Sequence, residues 1–476
     1  MSRYGISTKV SFLGGHFGRL AIAGGLAAAL GFFWLATTAE AAVDKELQFV
    51  LNTFSFLIWG CLVMWMCAGF TMLESGSVRT KNVSMICLKN MGLYAIAGIM
   101  YFFIGYNLMY VDVGSVIGSF TPFYGPTGEE IALLSADDTA KAAATEAVLK
   151  SSGYATMSDW FFQMVFVATT ASIVSGTLAE RVRLWTFFVF IILLTGVIYP
   201  IVGAWTWGGG WLGAMGFKDF AGSTIVHSTG GWAALAGAIV VGARRGKFRA
   251  DGSVKATPPS NIPIVTLGVF ILWFGWFGFN GGSQLALGGA TDAVAISHIL
   301  VNTNLAGGAG FLVALVIERP LLGRVDLMAG LNGALAGLVA ITAGPDFASH
   351  YWAVIIGAIG GGICVAGLRL LEILKVDDVV GAIPVHLFAG IWGTLATCIV
   401  AGGNFGVQLL GVVAIGVYVF AVSWVVWMVL RQLMGVRVSL SVEELGQDAG
   451  ELGIEAYPEF VVMPDPDDAD EVRGSG

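Results

Sequence analysis

Residues 207–232 read WGGGWLGAMGFKDFAGSTIVHSTGGW, and this stretch decides the fold. It sets an aromatic and glycine rim before a carboxylate, Asp219, and then an apolar helix with a lone histidine, His227. With a helix beginning near Phe220, the imidazole lies about 10 Å further along the axis. An ionisable group at that depth of an apolar segment belongs to a bilayer interior, where such groups are costly and face a pathway or a partner.

Composition carries the same message. Hydrophobic residues make up 56% of the 476 and charged ones 12%, with mean hydropathy +0.80, whereas soluble domains carry about 25% charge. The chain is therefore expected to be an all-α polytopic membrane protein. Its 67 glycines suit helices packed through small residues, since lipid removes the hydrophobic drive for helices to associate. The net charge of −8 sits mostly in loops and tail and points to no nucleic-acid partner. Cys61, Cys67, Cys87, Cys364 and Cys398 fall in apolar spans without metal-ligand spacing and read as packing residues.

Working outward, the chain begins with Arg3, Lys9 and Arg19, an apolar run to Leu35 and then ATTAEAA. This has the form of a secretory signal covering 1–41, cleaved near Ala41 or Ala42, though longer than usual; the alternative is a retained extra span. Beyond it lie eleven apolar segments: 47–73, 84–111, 158–179, 184–206, 222–243, 261–281, 294–317, 327–343, 351–374, 381–401 and 406–430. Each is near the length a bilayer requires.

RTK at 79–81, ERVR at 180–183, RRGKFR at 244–249, Arg319 and Arg324 all fall on one side of these spans, and Glu129, Glu130, Asp137, Asp138 and Asp292 on the other. The positive-inside rule makes the basic side cytoplasmic, with the mature amino terminus outside and the carboxyl tail inside. The longest outer loop, 112–158, holds the helix-prone run ADDTAKAAATEAVLK and reads as a solvated cap without chemistry. The tail, 432–476, ends in PDPDDADEVRGSG, a composition that favours disorder.

A faint internal repeat joins the fifth and tenth spans. VHSTGGWAALA from Val226 and VHLFAGIWGTLA from Val385 share a Val-His pair, a glycine four residues past the histidine and a tryptophan soon after; the histidines are 159 positions apart (386 − 227). Five spans per half is an odd number, so the second half enters from the opposite face. Inverted repeats of this kind place their sites near the midplane where the halves meet.

At this point the matches become specific. RTKN after the first span, FFQMVFVATTASIVSGTLAERVR in the third, WGGG followed by DFAGSTIVH, FGWFGFNGGS in the sixth and DDVVGAIPVH leading into the tenth resemble the ammonium transporters of the Amt/Mep/Rh family, bacterial Amt type, over nearly all of residues 45–457. The resemblance implies an eleven-helix fold with a five-plus-five inverted repeat and one extra carboxyl-terminal helix. It also implies a homotrimer with a pore in each subunit, in the bacterial cytoplasmic membrane.

Residue by residue, the resemblance implies that Trp207, Phe166 and Ser283 recruit ammonium outside the pore, with Asp219 as the family's essential acid, supporting that loop or capping a helix. Phe166 and Phe279 match the paired phenyl rings that close the pore, and Gln163 stands one turn before Phe166. His227 and His386 match the twin pore histidines. A neutral imidazole offers one donor and one acceptor, so such a pair can share a proton and still contact ammonia. The implied sequence is recruitment of ammonium, loss of its proton near the gate, and passage of ammonia past the histidines, with separate proton transfer.

The tail at 435–457, GVRVSLSVEELGQDAGELGIEAY, is similar to the segment through which family members contact PII-type signal proteins, although Leu452 stands where a histidine is common. Two further departures concern acids. Glu74 in MLESGSVRTKN replaces an aromatic residue and suits either pairing with a basic loop or a place at the pore exit. Gly381 stands where many members have an aspartate, so a second, symmetry-related acid is not expected. No cofactor is implied. A sensor that binds ammonium but scarcely conducts is the alternative function. An enzyme is the weakest reading, for no HExxH or nucleophile-elbow motif is present.

Overall fold

The computed structural model describes residues 44–460. The expected signal segment and the acidic end of the tail lie outside these residues. Among the described residues ten helices are long and apolar enough to cross a membrane: Lys45–Ser77, Thr80–Tyr110, Thr156–Thr177, Leu184–Trp205, Ser223–Val241, Ile262–Gly282, Ala290–Leu321, His350–Ile373, Ile383–Val400 and Phe405–Leu433. A shorter apolar helix, Leu327–Ile341, stands between the seventh and eighth of these and supplies the eleventh span. Numbered in chain order, the spans agree with the expected segments to within a few residues at most ends. The reason is local, because backbone polar groups inside lipid must be satisfied within a helix.

Short polar side chains begin several spans by accepting from the orphan N–H groups of the first turn. Asn261 Oδ1 accepts from Ile264 N at 3.1 Å in the sixth span and Asn404 Oδ1 from Val407 N at 3.2 Å in the eleventh. The outer loop does fold: Gly128–Ser135 opens with a Thr127/Glu130 capping box, and the alanine-rich run forms Lys141–Ser151. Cys364 is buried, but Cys61 and Cys87 are exposed on the helix surfaces and do not pack as expected.

The fifth and tenth spans share an unusual start. Each opens with a π-helical turn, Ser223–Ser228 and Ile383–Phe388, before continuing as α-helix. In front of each turn stands a glycine with positive φ, Gly222 at 109° and Gly381 at 80°, a conformation other residues adopt only with strain. The two helices cross where the repeat placed its second glycine. A Cβ on Gly231 would lie 2.6 Å from the Leu387 side chain and 2.8 Å from its amide nitrogen, and one on Gly390 would lie 2.4 Å from the Ser223 carbonyl oxygen. Thr224 and Thr394 join their hydroxyls across the same crossing at 2.6 Å.

At the basic end a buried ion network ties the loops together. Arg244 holds both Asp377 oxygens, Nε to Oδ2 at 2.8 Å and Nη2 to Oδ1 at 2.9 Å, while Arg79 Nε donates to Glu180 Oε2 at 2.8 Å. Burial would raise the Glu180 carboxyl, but Arg244 and Arg79 outweigh it and hold it below its usual range. Asp377 is held well below its usual range too: burial opposes, and Arg244 with Arg181 prevails. The tail docks on this face. Gln447 N donates to Asn82 Oδ1 at 3.0 Å, Asp448 accepts from Ser84 N and Met85 N at 2.9 and 2.8 Å, and Arg437 grips Glu443. The short helix Leu440–Leu445 is thereby seated beside the loop that holds Arg245, whose amide donates to Glu443 Oε1 at 2.9 Å.

Candidate functional site

At the end opposite the basic loops a vestibule of about 440 Å³ opens, lined by Trp207, Phe166, Ser283, Asp159, Tyr106 and Tyr154 among others. The three residues expected to recruit a cation therefore share one cavity. Trp207 is held by its indole Nε1, which donates to the Asp219 carbonyl at 2.9 Å. Ser283 Oγ donates back to the Phe279 carbonyl at 2.9 Å, leaving its oxygen lone pairs as acceptors.

The Asp219 carboxylate is fully engaged elsewhere. Oδ1 accepts from Gly222 N at 3.0 Å and Ser223 N at 2.8 Å, and Oδ2 from Thr224 N at 2.8 Å and Ile225 N at 2.9 Å. All four orphan donors of the fifth span are satisfied by one side chain, a helix-capping role. Burial pushes this carboxyl up to about 6 against the pull of those N–H groups. Asp219 does not line the vestibule; its carboxylate caps the fifth span while its carbonyl holds the Trp207 indole.

The acid on the vestibule wall is Asp159, in the first turn of the third span, for which no role is expected from the sequence. Tyr106 Oη donates to its Oδ2 at 2.5 Å. Asp159 stands seven residues before Phe166 on the third span, two turns away on the same face, so helical spacing from the expected gate could have found it. Tyr154 likewise brings the outer loop into the cavity wall, which amends the expectation of a cap without any part in the site.

Below the vestibule Phe166 stacks on Phe279, ring centroids 3.9 Å apart and 19° from parallel, with Trp207 edge-on to Phe166 at 6.1 Å. Both phenyl rings are buried. Phe279 is followed by His227 at 5.2 Å, and His227 lies between Trp276, stacked at 4.9 Å, and His386. The two Nδ1 atoms are 3.2 Å apart, one hydrogen bond that the crossing at Gly231 and Gly390 permits. His227 Nε2 is buried without a partner. Phe70 stands 6.0 Å beyond His386. Vestibule, stacked phenyls and histidine pair thus follow one another along a single line.

Two expectations about acids are corrected. Asp378 is the counterpart of Asp219, 159 positions on: its Oδ1 accepts from Gly381 N at 3.1 Å and its Oδ2 from Ile383 N at 2.7 Å. Gly381 corresponds to Gly222, and the full repeat is D-x-x-G-x-x-x-V-H at 219–227 and 378–386. The symmetry-related acid was present all along, and extending the Val-His offset backwards finds it. Of the two places open to Glu74, pairing with a basic loop gives way to one beside the pore. Glu74 is fully buried, accepts from Ser175 Oγ at 2.7 Å and shares a cavity with His386.

The Ammonium Transporter Family matches residues 54–457. The chain belongs to the ammonium transporter family. It is 39% identical over 438 residues to "Ammonium transporter Amt2" of Archaeoglobus fulgidus, covering 85% of this chain and 88% of that protein. It is 33% identical to "Ammonium transporter" of Bacillus subtilis, covering 84% and 97%. Among solved structures it resembles "Sensor Amt Protein" with TM-score 0.77 at 33% identity, covering 86% of this chain and 99% of that one. It resembles Candida albicans Mep2 with TM-score 0.71 at 26% identity, covering 89% and 94%. As a member of this family the chain is a multi-pass membrane protein of the Amt/Mep architecture.

Proposed function

We propose that this protein carries ammonium across the bacterial cytoplasmic membrane, binding the cation in the vestibule and passing it on as ammonia. The observation that supports this best is the order along one line: a vestibule with an indole face, an acid and a serine oxygen, then a phenyl stack, then two histidines 3.2 Å apart. An indole attracts a small cation with about 2 kcal/mol when desolvated, and Asp159 adds a charge that a neutral molecule does not feel. The phenyl stack excludes hydrated ions, because stripping an ion of water in a low-dielectric site is prohibitive. Ammonium escapes that penalty by leaving its proton behind; potassium has none to leave. Ammonia then hydrogen-bonds to the imidazole edge, with the free Nε2 of His227 as its partner, and the proton crosses separately, so that transport is electrogenic.

The same reading puts the basic loops and docked tail in the cytoplasm, treats 1–41 as a cleaved signal, and assembles three subunits. The tail face around Leu440–Leu445 is then available to a PII-type partner. A sensor with little conduction is the second reading, and the likeness to "Sensor Amt Protein" favours it; two intact pore histidines favour conduction.

The test is electrical. His227→Asp and His386→Asp each replace an imidazole with a carboxylate that can compensate a bare cation, so both variants, reconstituted in liposomes beside wild type under matched gradients, are expected to admit potassium. Variants that fold and conduct ammonium without potassium current above the wild-type background would remove the histidines from selectivity, and a wild type without ammonium current would leave the sensor.

A further inference from the structure

The pore has an ionisable group that the transport reading does not use. Glu74 lies on the first span with its side chain fully buried, as does Lys89 on the second. Charged side chains at such depth are expensive, and each needs a partner and a reason. Ser175 supplies the link: its Oγ donates to Glu74 Oε2 at 2.7 Å, and its carbonyl accepts from Lys89 Nζ at 2.9 Å. Lys89 also lies over the Phe187 ring at 4.9 Å, with Arg181 and Glu451 the other charged groups within reach of it.

The second carboxylate oxygen, Glu74 Oε1, is buried and makes no hydrogen bond of ordinary geometry, with the Asn90 side chain the other polar group near the carboxylate. A buried acceptor left unpaired costs free energy and marks a ligand, a water or a proton. Glu74 lines a cavity of about 10 Å³ together with His386, Phe70, Ser172 and Asn332, room for about one water. Gly381 is on the same wall and brings no side chain, so Glu74 is the one carboxylate lining this space.

We infer that Glu74 is the proton acceptor at the inner end of the pore, taking the proton delivered through the His227–His386 pair and returning it to ammonia on the cytoplasmic side. This rests on the transport reading above. An imidazolium formed on the pair loses one N–H as the Glu74 carboxylate gains one O–H, through the water that the cavity holds. The carboxylic acid then gives that proton to emerging ammonia, so carboxylate and ammonium are regenerated and nothing else is consumed. Lys89 supplies the compensating charge between turnovers, and Ser175 fixes the carboxylate so that the open oxygen faces the cavity. Glu74 thus makes the current depend on the protonation of a group on the inner side of the histidines.

The experiment uses the full-length protein in liposomes. Glu74→Gln keeps the shape and the acceptor for Ser175 but cannot carry the proton. It is expected to lower the ammonium-driven current by about a hundredfold, as loss of a positioned proton-transfer group does, with assembly and thermal stability retained. Glu74→Asp should restore part of the current and the wild-type dependence on internal pH, a readout that a packing role would not move. Glu74→Gln with current within about twofold of wild type and an unchanged internal-pH profile overturns the inference.

Infrared difference spectra on ammonium addition give a readout that does not require current. A protonated-carboxyl band present in wild type, absent in Glu74→Gln and displaced in Glu74→Asp is expected; a band that persists unmoved in the variants overturns the assignment. A wild type silent electrically that still shows the Glu74 band would sink the transport reading and leave the proton site standing. If Glu74→Gln does not assemble, the displaced band in Glu74→Asp decides.

Discussion

Adding one methyl group at the crossing of the fifth and tenth spans is the sharpest way to ask whether the histidine pair must be held together. In Gly390→Ala the new Cβ would lie 2.4 Å from the Ser223 carbonyl oxygen and 2.6 Å from Ser228 Oγ. The first contact is with backbone and cannot swing away. An ordinary carbon–oxygen contact is about 3.4 Å, so the helices must part by about 1 Å. His227 and His386 sit four residues from Gly231 and Gly390 on these same helices, and their Nδ1 separation of 3.2 Å would open beyond hydrogen-bond reach. Overpacking of this kind costs about 1–3 kcal/mol of stability, small enough for the fold to survive. The functional loss should be larger, about a hundredfold, the usual consequence of a 1 Å misplacement in a site that depends on geometry. The assay is ammonium-driven current in liposomes together with thermal unfolding in detergent, with Gly308→Ala as control because a Cβ there meets nothing within 4 Å. Gly390→Ala with wild-type current and the stability of the control would refute the claim that close crossing sets the histidine contact.

Two further outcomes are expected. Trp207→Leu removes the indole face and its hydrogen bond to the Asp219 carbonyl, so apparent ammonium affinity should fall about thirtyfold with assembly intact; an unchanged concentration dependence of the current would take Trp207 out of recruitment. Asp377 and Glu180 are both held below their usual carboxylate range by arginines, so their stabilisation is complete above about pH 4 and is lost as pH falls through their lowered folded-state values. Asp377→Asn should cost about 3 kcal/mol at neutral pH by taking the close carboxylate from buried Arg244 and leaving it the longer contact to Glu180 Oε2 at 3.4 Å, and it should flatten the acid limb of the stability profile, which denaturation against pH would measure.

The spans were legible because membrane insertion is a local requirement: about twenty apolar residues must close their own hydrogen bonds, and that condition is written in each segment separately. The Val-His repeat and its following glycine were legible as well, because the symmetry repeats side chains at a constant offset of 159. Asp378 lies within that same repeat, as far before His386 as Asp219 is before His227. The π-helical turns at Ser223–Ser228 and Ile383–Phe388 were not legible, since they depend on where a carboxylate can reach several amides at once, four for Asp219 and two for Asp378.

Asp159 and Glu74 differ in kind. Nothing in the residues around Glu74 says that a basic loop five residues away is not its partner while His386, more than three hundred positions along the chain, shares its cavity. Spacing to Phe166 puts Asp159 on the gate's face of the third span, but nothing around it says that Trp207 stands in the same vestibule. By itself the sequence determined which segments enter the bilayer and which histidines repeat, because those depend on neighbours in the chain. Only the tertiary structure decided which carboxylate caps a helix, which faces the vestibule and which waits beneath the histidines, because a buried charge takes its role from the atoms packed around it in space.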